Sequence, residues 1–275
     1  MELDRVEKPL RQLRKLLKKL PANPAPGDVH RLRTRARKIE AMAAALEPAG
    51  GKQTRRLLKA IKPLRKAAGG VRDMDVLIGD LLHLPVNGTR DSVVRLVEHL
   101  GNARRKSAAE LLDTVDRTRK PARRELKKYA RLFDSVAQGK KPAPVEIARA
   151  LESENGDAAP ASTLIDELAH WPRLSTHNIH LFRLKVKELR YVLELFPQAD
   201  QGFIDALGKV RDEIGDWHDW QQLAGIARKV AGARQNRALL AQIDAAVKQK
   251  LTHALAGANG LRRKYLHATA LGKVS

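Results

Sequence analysis

Two stretches of this sequence, VHRLRTRARKIEA at residues 29–41 and IHLFRLKVKELRYV at residues 179–192, share one pattern. Each has a histidine at position i, an arginine at i+3 and a further cation at i+7. The matching residues are His30, Arg33 and Arg37 in the first copy and His180, Arg183 and Lys187 in the second. Helical residues turn by about 100° each, so these positions form one stripe about 60° wide. The pattern predicts two helices that each carry a basic stripe.

Each of these helices also has an apolar face that adjoins the basic stripe. The apolar residues are Leu32, Ala36, Ile39 and Leu46 in the first copy and Phe182, Val186, Leu189, Leu193 and Phe196 in the second. A single helix of this kind fits an ordinary solvated face, since Arg and Lys at a core edge extend their charges into water. The second copy favours a groove shared by both stripes. Cations crowded there without matching acids repel one another, and a polyvalent anion would relieve that repulsion.

A second signature follows each copy of the histidine pattern in the same order. GGVRDMDV at residues 69–76 and IGDWHDWQ at residues 214–221 both contain Gly-x-x-(Arg/His)-Asp. Two signatures in one order indicate an internal repeat. We therefore predict two pseudo-symmetric four-helix bundles with a central basic groove.

The remainder of the chain predicts an all-α fold. Leu, Ala, Arg, Lys and Glu dominate, apolar residues recur at steps of three and four, and no stretch alternates at period two. Proline and glycine mark the breaks, which divide one domain into halves at 3–138 and 162–271 with a linker at 139–161. The predicted helices are 3–20, 27–46, 52–68, 73–82, 89–118, 122–138, 145–152, 162–169, 176–196, 202–214, 219–231 and 236–271.

The composition indicates a polyanionic partner. The chain has 53 Lys and Arg against 31 Asp and Glu, a formal net charge of +22, and such a field attracts nucleic acid, anionic surfaces or phosphate polymers. The lack of cysteine excludes disulfides and cysteine-based zinc sites or nucleophiles. No secretory signal or membrane-spanning stretch is apparent, so we expect a soluble, cytoplasmic protein without a membrane partner. We expect no metal and no cofactor.

Further cations fall on or beside apolar stripes and extend the predicted binding surface. Arg190 continues the second stripe, whereas Glu40 stands at the corresponding place in the first. The other candidates, each flanked by apolar residues at helical spacing, are Lys62, Arg104 and Lys250.

These ordered motifs resemble the CHAD domain, the conserved histidine α-helical domain, over residues 9–271. The resemblance implies two pseudo-symmetric bundles that bind inorganic polyphosphate in a basic groove without catalysis, and association with polyphosphate granules. Carried onto this sequence, its His-x-x-Arg motif falls on His30 with Arg33 and on His180 with Arg183. The basic positions that follow fall on Arg37, Lys38 and Lys187, and the Leu-Arg-Tyr ending of the family pattern places Arg190. Glu40 and Glu188 depart from the pattern, where basic residues are usual.

Two other functions stay open at this stage. Nucleic acid fits the charge equally well, but aromatic residues, which stack on single strands, make up only 4% of the chain. A phosphate-transfer enzyme could use acids of the second signature, such as Asp73 and Asp219. An aspartate just after a glycine turn is more simply a helix N-cap. We therefore assign no catalytic residue.

Overall fold

The structure, a computed structural model, describes residues 3–21, 23–46, 51–85, 90–137, 159–194, 196, 198–231 and 237–266. Within these ranges every regular element is helical, which confirms the predicted all-α class. No helix in this part of the chain is long and apolar enough to span a bilayer. The elements are α1 (Leu3–Lys19), α2 (Pro26–Leu46), α3 (Lys52–Leu82), α4 (Arg90–Ala137), α5 (Ala159–Ala169), α6 (Ile179–Leu193), α7 (Gln201–Ala231), α8 (Arg237–Leu261) and a π-helical turn (Arg262–Leu266).

Three predicted breaks are wrong, because α3, α4 and α7 each run through them. The pair Gly69 and Gly70 lies inside α3, Pro121 lies inside α4 and Gly215 lies inside α7. Glycine and proline weaken an isolated helix, but packing of an amphipathic face outweighs that local preference. Ala122 and Leu126 are buried just beyond the proline. Each predicted pair of short helices is therefore one long helix.

The starts of α2 and α6 position the two histidine motifs. Proline is favoured in the first helical position, and α2 begins at Pro26, with the Asp28 carboxylate accepting from the Ala25 backbone N–H at 3.2 Å. The start of α6 is three residues later than predicted. Asn178 precedes it, and its side chain accepts from the Ser175 backbone N–H at 2.9 Å. His180 is thereby the second residue of its helix.

Other predicted boundaries differ little or lie outside the described residues. α5 begins at Ala159 rather than at residue 162. The predicted helix 145–152, most of the linker 139–161 and the helix ends at 89, 138, 236 and 267–271 fall outside the described ranges. After α8, the Arg262 guanidinium donates to the backbone carbonyls of Ala169 at 3.1 Å and Trp171 at 2.6 Å, which satisfies carbonyl groups at the end of α5.

The chain forms two compact units, and the first comprises Met1–Arg72, Arg105–Ala161 and Tyr191–Ala199. Its buried side chains come from successive helical turns, as the apolar periodicity predicts. They include Leu10, Leu13 and Leu17 of α1, Leu32, Ala36, Ile39 and Met42 of α2, Leu57, Ile61 and Leu64 of α3, and Leu111, Val115, Leu126 and Tyr129 of α4.

The second unit comprises Asp73–Arg104, Ser162–Arg190 and Asp200–Ser275. One core cluster in it joins α3, α4, α7 and α8; its buried members are Leu77, Leu81, Val93, Leu96, Leu100, Trp220, Leu223, Ala224, Ala227, Leu239 and Ile243. Each unit takes segments from both sides of the linker at 139–161. The division into sequence halves and their pseudo-symmetry stay predictions.

Candidate anion-binding site

The basic stripe of the second unit lies along α6. His180, Arg183, Lys187 and Arg190 are all partly buried. The apolar residues beside them, Phe182, Val186 and Leu189, are fully buried, as predicted. The cations therefore stand at the edge of the core, where neighbouring helices restrict the conformations of their side chains.

Arg183 lies flat against α7 at Gly215. Its Nε donates to the backbone carbonyl of Arg211 at 3.0 Å. A Cβ atom added at Gly215 would be 2.7 Å from Nη2 of Arg183, so the glycine leaves the space that this guanidinium fills. The arginine is thus held in place by the helix beside it. Because its side chain is already ordered, less conformational entropy would be lost when an anion binds.

A second arginine packs on a second glycine of the same helix. A Cβ added at Gly208 would lie 3.5 Å from Nε of Arg190. Arg183 and Arg190 are seven residues apart on α6, and Gly215 and Gly208 are seven apart in the opposite order on α7. The two helices are therefore antiparallel where they meet, with both arginines on one face.

Two imidazole rings in close contact adjoin Arg183. The ring centroids of His180 and His218 are 4.7 Å apart, with the planes tilted by 42°. Burial lowers the pKa of His180, and the positive charges of Arg183 and Lys187 lower it further. Burial likewise lowers the pKa of His218, helped by His180 and Arg183 and opposed by Asp73. The electrostatic potential at His180 is therefore positive.

The first unit carries a looser version of the arginine–glycine contact. Arg33 of α2 lies beside Gly69 of α3, where an added Cβ would be 3.7 Å from Nε. Arg33, Arg37 and Lys38 are partly buried, whereas His30 is exposed. Both repeated signatures therefore meet in space: the arginine of His-x-x-Arg packs on the glycine of Gly-x-x-(Arg/His)-Asp.

A family model named CHAD domain matches residues 5–228 of the chain. The chain belongs to the CHAD domain family. Its structure resembles the crystal structure of the CHAD domain from the plant Ricinus communis, with a TM-score of 0.62 and 16% sequence identity. The similarity covers 92% of this chain and 89% of that one, and it shows a shared fold. No curated protein sequence matches the chain.

Three predicted binding cations of this CHAD domain already have carboxylate partners. Lys38 contacts Glu194 at 2.8 Å, Arg104 contacts Asp75 at 2.5 Å, and Lys250 contacts Asp216 at 2.6 Å. Arg104 is partly buried, as its apolar stripe predicts. An incoming anion must compete with these carboxylates, so the three cations offer less to a ligand than their charge alone suggests.

The remaining predicted residue, Lys62, is exposed on α3 of the first unit. The structure thus brings His180, Arg183, Lys187 and Arg190 together on one helix.

Glu40, which breaks the repeat, forms an ion pair with Arg65 at 2.7 Å. It therefore neutralises a cation of α3 beside the first histidine helix. Glu188 is exposed and lies 4.0 Å from Lys185.

The acids of the second signature do not cap helices. Asp73 and Asp219 lie inside α3 and α7, so the N-cap interpretation is wrong, because the glycines before them interrupt neither helix. Asp75 and Asp216 instead bind Arg104 and Lys250. Among the residues that the structure describes, no three His, Asp or Glu side chains are grouped so that they could hold a metal ion.

Sequence reasoning missed the contributions of α7 to the site. The ring of His218 lies close to that of His180, and Gly208 and Gly215 provide the surface on which the arginines lie. The available signal was the second signature itself, with its glycine and histidine. A further signal was the seven-residue spacing of glycines in α7, which matches that of arginines in α6.

Proposed function

We propose that this CHAD domain binds inorganic polyphosphate without catalysis, through Arg, Lys and His side chains of its histidine helices. The observation that carries the proposal is the stripe of partly buried His180, Arg183, Lys187 and Arg190 along one face of α6. A partly buried site with excess positive charge is stabilised when an anion enters it. We also propose that binding localises the protein to polyphosphate granules.

The packing of the arginines supports a ligand that exposes phosphate oxygens along its length. Nε of Arg183 donates to the Arg211 carbonyl, which holds the guanidinium at the stripe. Guanidinium groups bind phosphate oxygens strongly, often through two N–H donors at once. Lys187 adds a flexible point charge one turn further along the same stripe. A repeating chain can contact such a stripe in many registers and needs no sequence.

The tryptophans favour polyphosphate over single-stranded nucleic acid. Single strands bind by stacking bases on accessible aromatic rings. Trp217 is 2% exposed and Trp220 is 6% exposed, and both belong to helix α7 of the second unit. Trp171 packs edge-on against Phe182, with ring centroids 5.6 Å apart. Trp217 and Trp220 therefore offer no open face for stacking, and Trp171 is partly buried.

The decisive test removes the arginine from both copies of the pattern. Arg33→Ala together with Arg183→Ala should weaken binding of long-chain polyphosphate by at least about tenfold, because each charged contact contributes about 1.5–3 kcal/mol. The matched control is Arg31→Ala with Lys185→Ala, two cations of the same helices that already pair with Asp28 and Glu167. Affinity is measured by titration in about 150 mM salt, since salt screens nonspecific attraction.

Competition separates polyphosphate from other polyanions. Labelled polyphosphate bound to the protein is challenged with single-stranded RNA, duplex DNA and heparin at equal charge concentration. Polyphosphate should outcompete all three. Two results would show that net charge alone drives binding. One is an equal loss of affinity in the Arg33/Arg183 variant and in the Arg31/Lys185 control; the other is equal displacement of the label by every polymer. In cells that accumulate polyphosphate, a tagged protein should colocalise with the granules and disperse when a polyphosphatase removes them.

A further inference from the structure

The hydrogen bond of His218 fits a neutral imidazole. The side-chain amide nitrogen of Gln222 lies 2.8 Å from Nε2 of His218. An amide nitrogen can only donate, so Nε2 accepts and His218 carries its proton on Nδ1. A proton on Nε2 would require the Gln222 amide to rotate and present its oxygen. One turn of α7 separates His218 from Gln222, so this rotation needs no movement of the backbone.

His180 holds an unused nitrogen. Its Nδ1 is buried, and among the described residues nothing forms a hydrogen bond with it. A buried nitrogen without a hydrogen-bond partner loses its hydration, and no protein hydrogen bond compensates for that loss. Because the ring centroids are only 4.7 Å apart, two imidazolium charges would repel each other, so protonation of one ring disfavours protonation of the other.

Charged side chains of two helices, α6 and α3, act on this pair. Arg183 and Lys187 of α6 oppose a proton on His180. Arg183, which packs on α7 at Gly215, also opposes a proton on His218, whereas Asp73 of α3 favours it. In the free protein the cations and burial prevail. An anion bound to Arg183 and Lys187 would cancel the charges that exclude the proton.

We propose that the adjacent rings of His180 and His218 form one proton-accepting unit of the anion site, which is neutral in the free protein and takes up one proton when a phosphate chain binds to Arg183 and Lys187. This inference rests on the proposed polyphosphate function. It makes His218 a positioning and binding residue of the site. Binding then takes up a proton, and affinity rises as the pH falls through the range where histidine titrates.

The test follows affinity and proton uptake together. Long-chain polyphosphate is titrated at constant ionic strength from about pH 8 to about pH 5.5, a range that spans the ordinary histidine pKa. Long chains are used because terminal phosphates, which also titrate near neutrality, are then few. Calorimetry in two buffers of different ionisation enthalpy counts the protons taken up. Affinity should tighten by up to about tenfold per pH unit, since one proton is coupled to binding.

The test variant is His180→Gln with His218→Gln, which should bind with little dependence on pH and without proton uptake. The control is His99→Gln with His253→Gln, two exposed histidines of the same unit, which should keep the wild-type dependence. Imidazole NMR titration of the wild-type protein provides a second readout. The resonances of His180 and His218 should shift together, and at a higher pH when polyphosphate is bound.

The possible results separate failure of the proton-accepting histidine pair from failure of polyphosphate binding itself. Tight binding with no pH dependence, or proton uptake that persists in the double variant, would overturn the proton-accepting pair and leave the polyphosphate function intact. Failure of the wild-type protein to bind polyphosphate at any pH would overturn both. If the double variant does not fold, the NMR titration decides, because unchanged histidine resonances on binding would overturn the inference.

Discussion

The two units each pack an arginine on a glycine, but they do so with different tightness. In the second unit a Cβ at Gly215 would meet Nη2, Nε and Cζ of Arg183 at 2.7, 3.2 and 3.3 Å. In the first unit a Cβ at Gly69 would meet Arg33 at 3.7 Å, an ordinary van der Waals distance. At the same place in the signature, a Cβ would therefore displace the arginine in the second unit but not in the first.

The residue after each glycine differs as well. Gly70 follows Gly69 and lies against Ser107, whereas Asp216 follows Gly215 and binds Lys250. Asp216 also lies near Asp80 of α3. Burial, followed by the charges of Asp216 and Asp219, raises the pKa of Asp80 from 3.8 to about 6, and the charges of Lys250 and His83 only partly oppose this shift. The second unit thus combines a tight arginine contact with crowded carboxylates.

The largest expected effect comes from a substitution of Asp80, which lies near these carboxylates. The pKa of Asp80 is about 6 in the folded protein and 3.8 as its ordinary value, so the folded state favours the protonated carboxyl. The resulting stabilisation is fully present below pH 3.8 and is lost as the pH rises through about 6. At pH 7 the charge on Asp80 is therefore unfavourable. Asp80→Asn should raise the free energy of unfolding by up to about 2 kcal/mol at neutral pH, and the gain should shrink towards pH 4.

Urea unfolding at neutral and acidic pH measures this gain. The control is Asp116→Asn, since Asp116 is 76% exposed and lies 3.7 Å from Arg119. That change should alter stability by less than about 0.5 kcal/mol. A gain for Asp80→Asn of the same size at both pH values would mean that the charge of Asp80 is not the cause.

The next effect tests the difference in arginine packing. Gly215→Ala should displace the Arg183 guanidinium and break its bond to the Arg211 carbonyl, and polyphosphate affinity should fall by about tenfold. Gly69→Ala should leave affinity within about twofold, because its Cβ has room, and should raise stability by up to about 1 kcal/mol through helix propensity.

Affinity titration and thermal unfolding of both variants measure the contrast. The displaced atoms in Gly215→Ala are the far end of a flexible side chain, so folding should survive. Equal affinity losses in the two variants would show that the units use their arginines alike. A large drop in melting temperature for Gly215→Ala would mean that the contact is mainly structural.

The smallest effect concerns the acid that breaks the repeat. Glu40→Gln removes the partner of Arg65, so the first unit should gain a free cation and affinity should rise by about twofold. Glu188→Gln on α6 is the matched control, since Glu188 is exposed and 4.0 Å from its nearest cation. Titration in the same salt compares them. Equal gains from both changes would indicate that net charge alone is responsible.

The sequence predicted those features that depend on local periodicity. Leu32, Ala36 and Ile39 are buried where the helical pattern places them, and so are Phe182 and Val186. Burial of an apolar face is favourable wherever the helix docks, so the spacing of apolar residues is a reliable signal. The order of the two signatures was likewise enough to indicate the family.

The features that depend on partners distant in sequence were not predicted. Gly215 was taken for a helix break because glycine is a poor helix former, yet it faces Arg183 from another helix and α7 continues. The same holds for the carboxylates that bind Arg104 and Lys250, which no spacing along one helix reveals. Charge counts identify cations; they do not show which cations are already neutralised.

The division of the chain into two discontinuous units limits how recombination could divide its gene. The unit boundaries after residues 72, 104 and 190 fall inside helices α3, α4 and α6, so neither unit is encoded by one continuous stretch. A gene cut at the linker would give a fragment with Leu77, Leu81 and Leu96 but without the Trp220 and Leu223 that cover them. Recombination at the linker therefore cannot exchange one unit alone, and both units must evolve as a single genetic module.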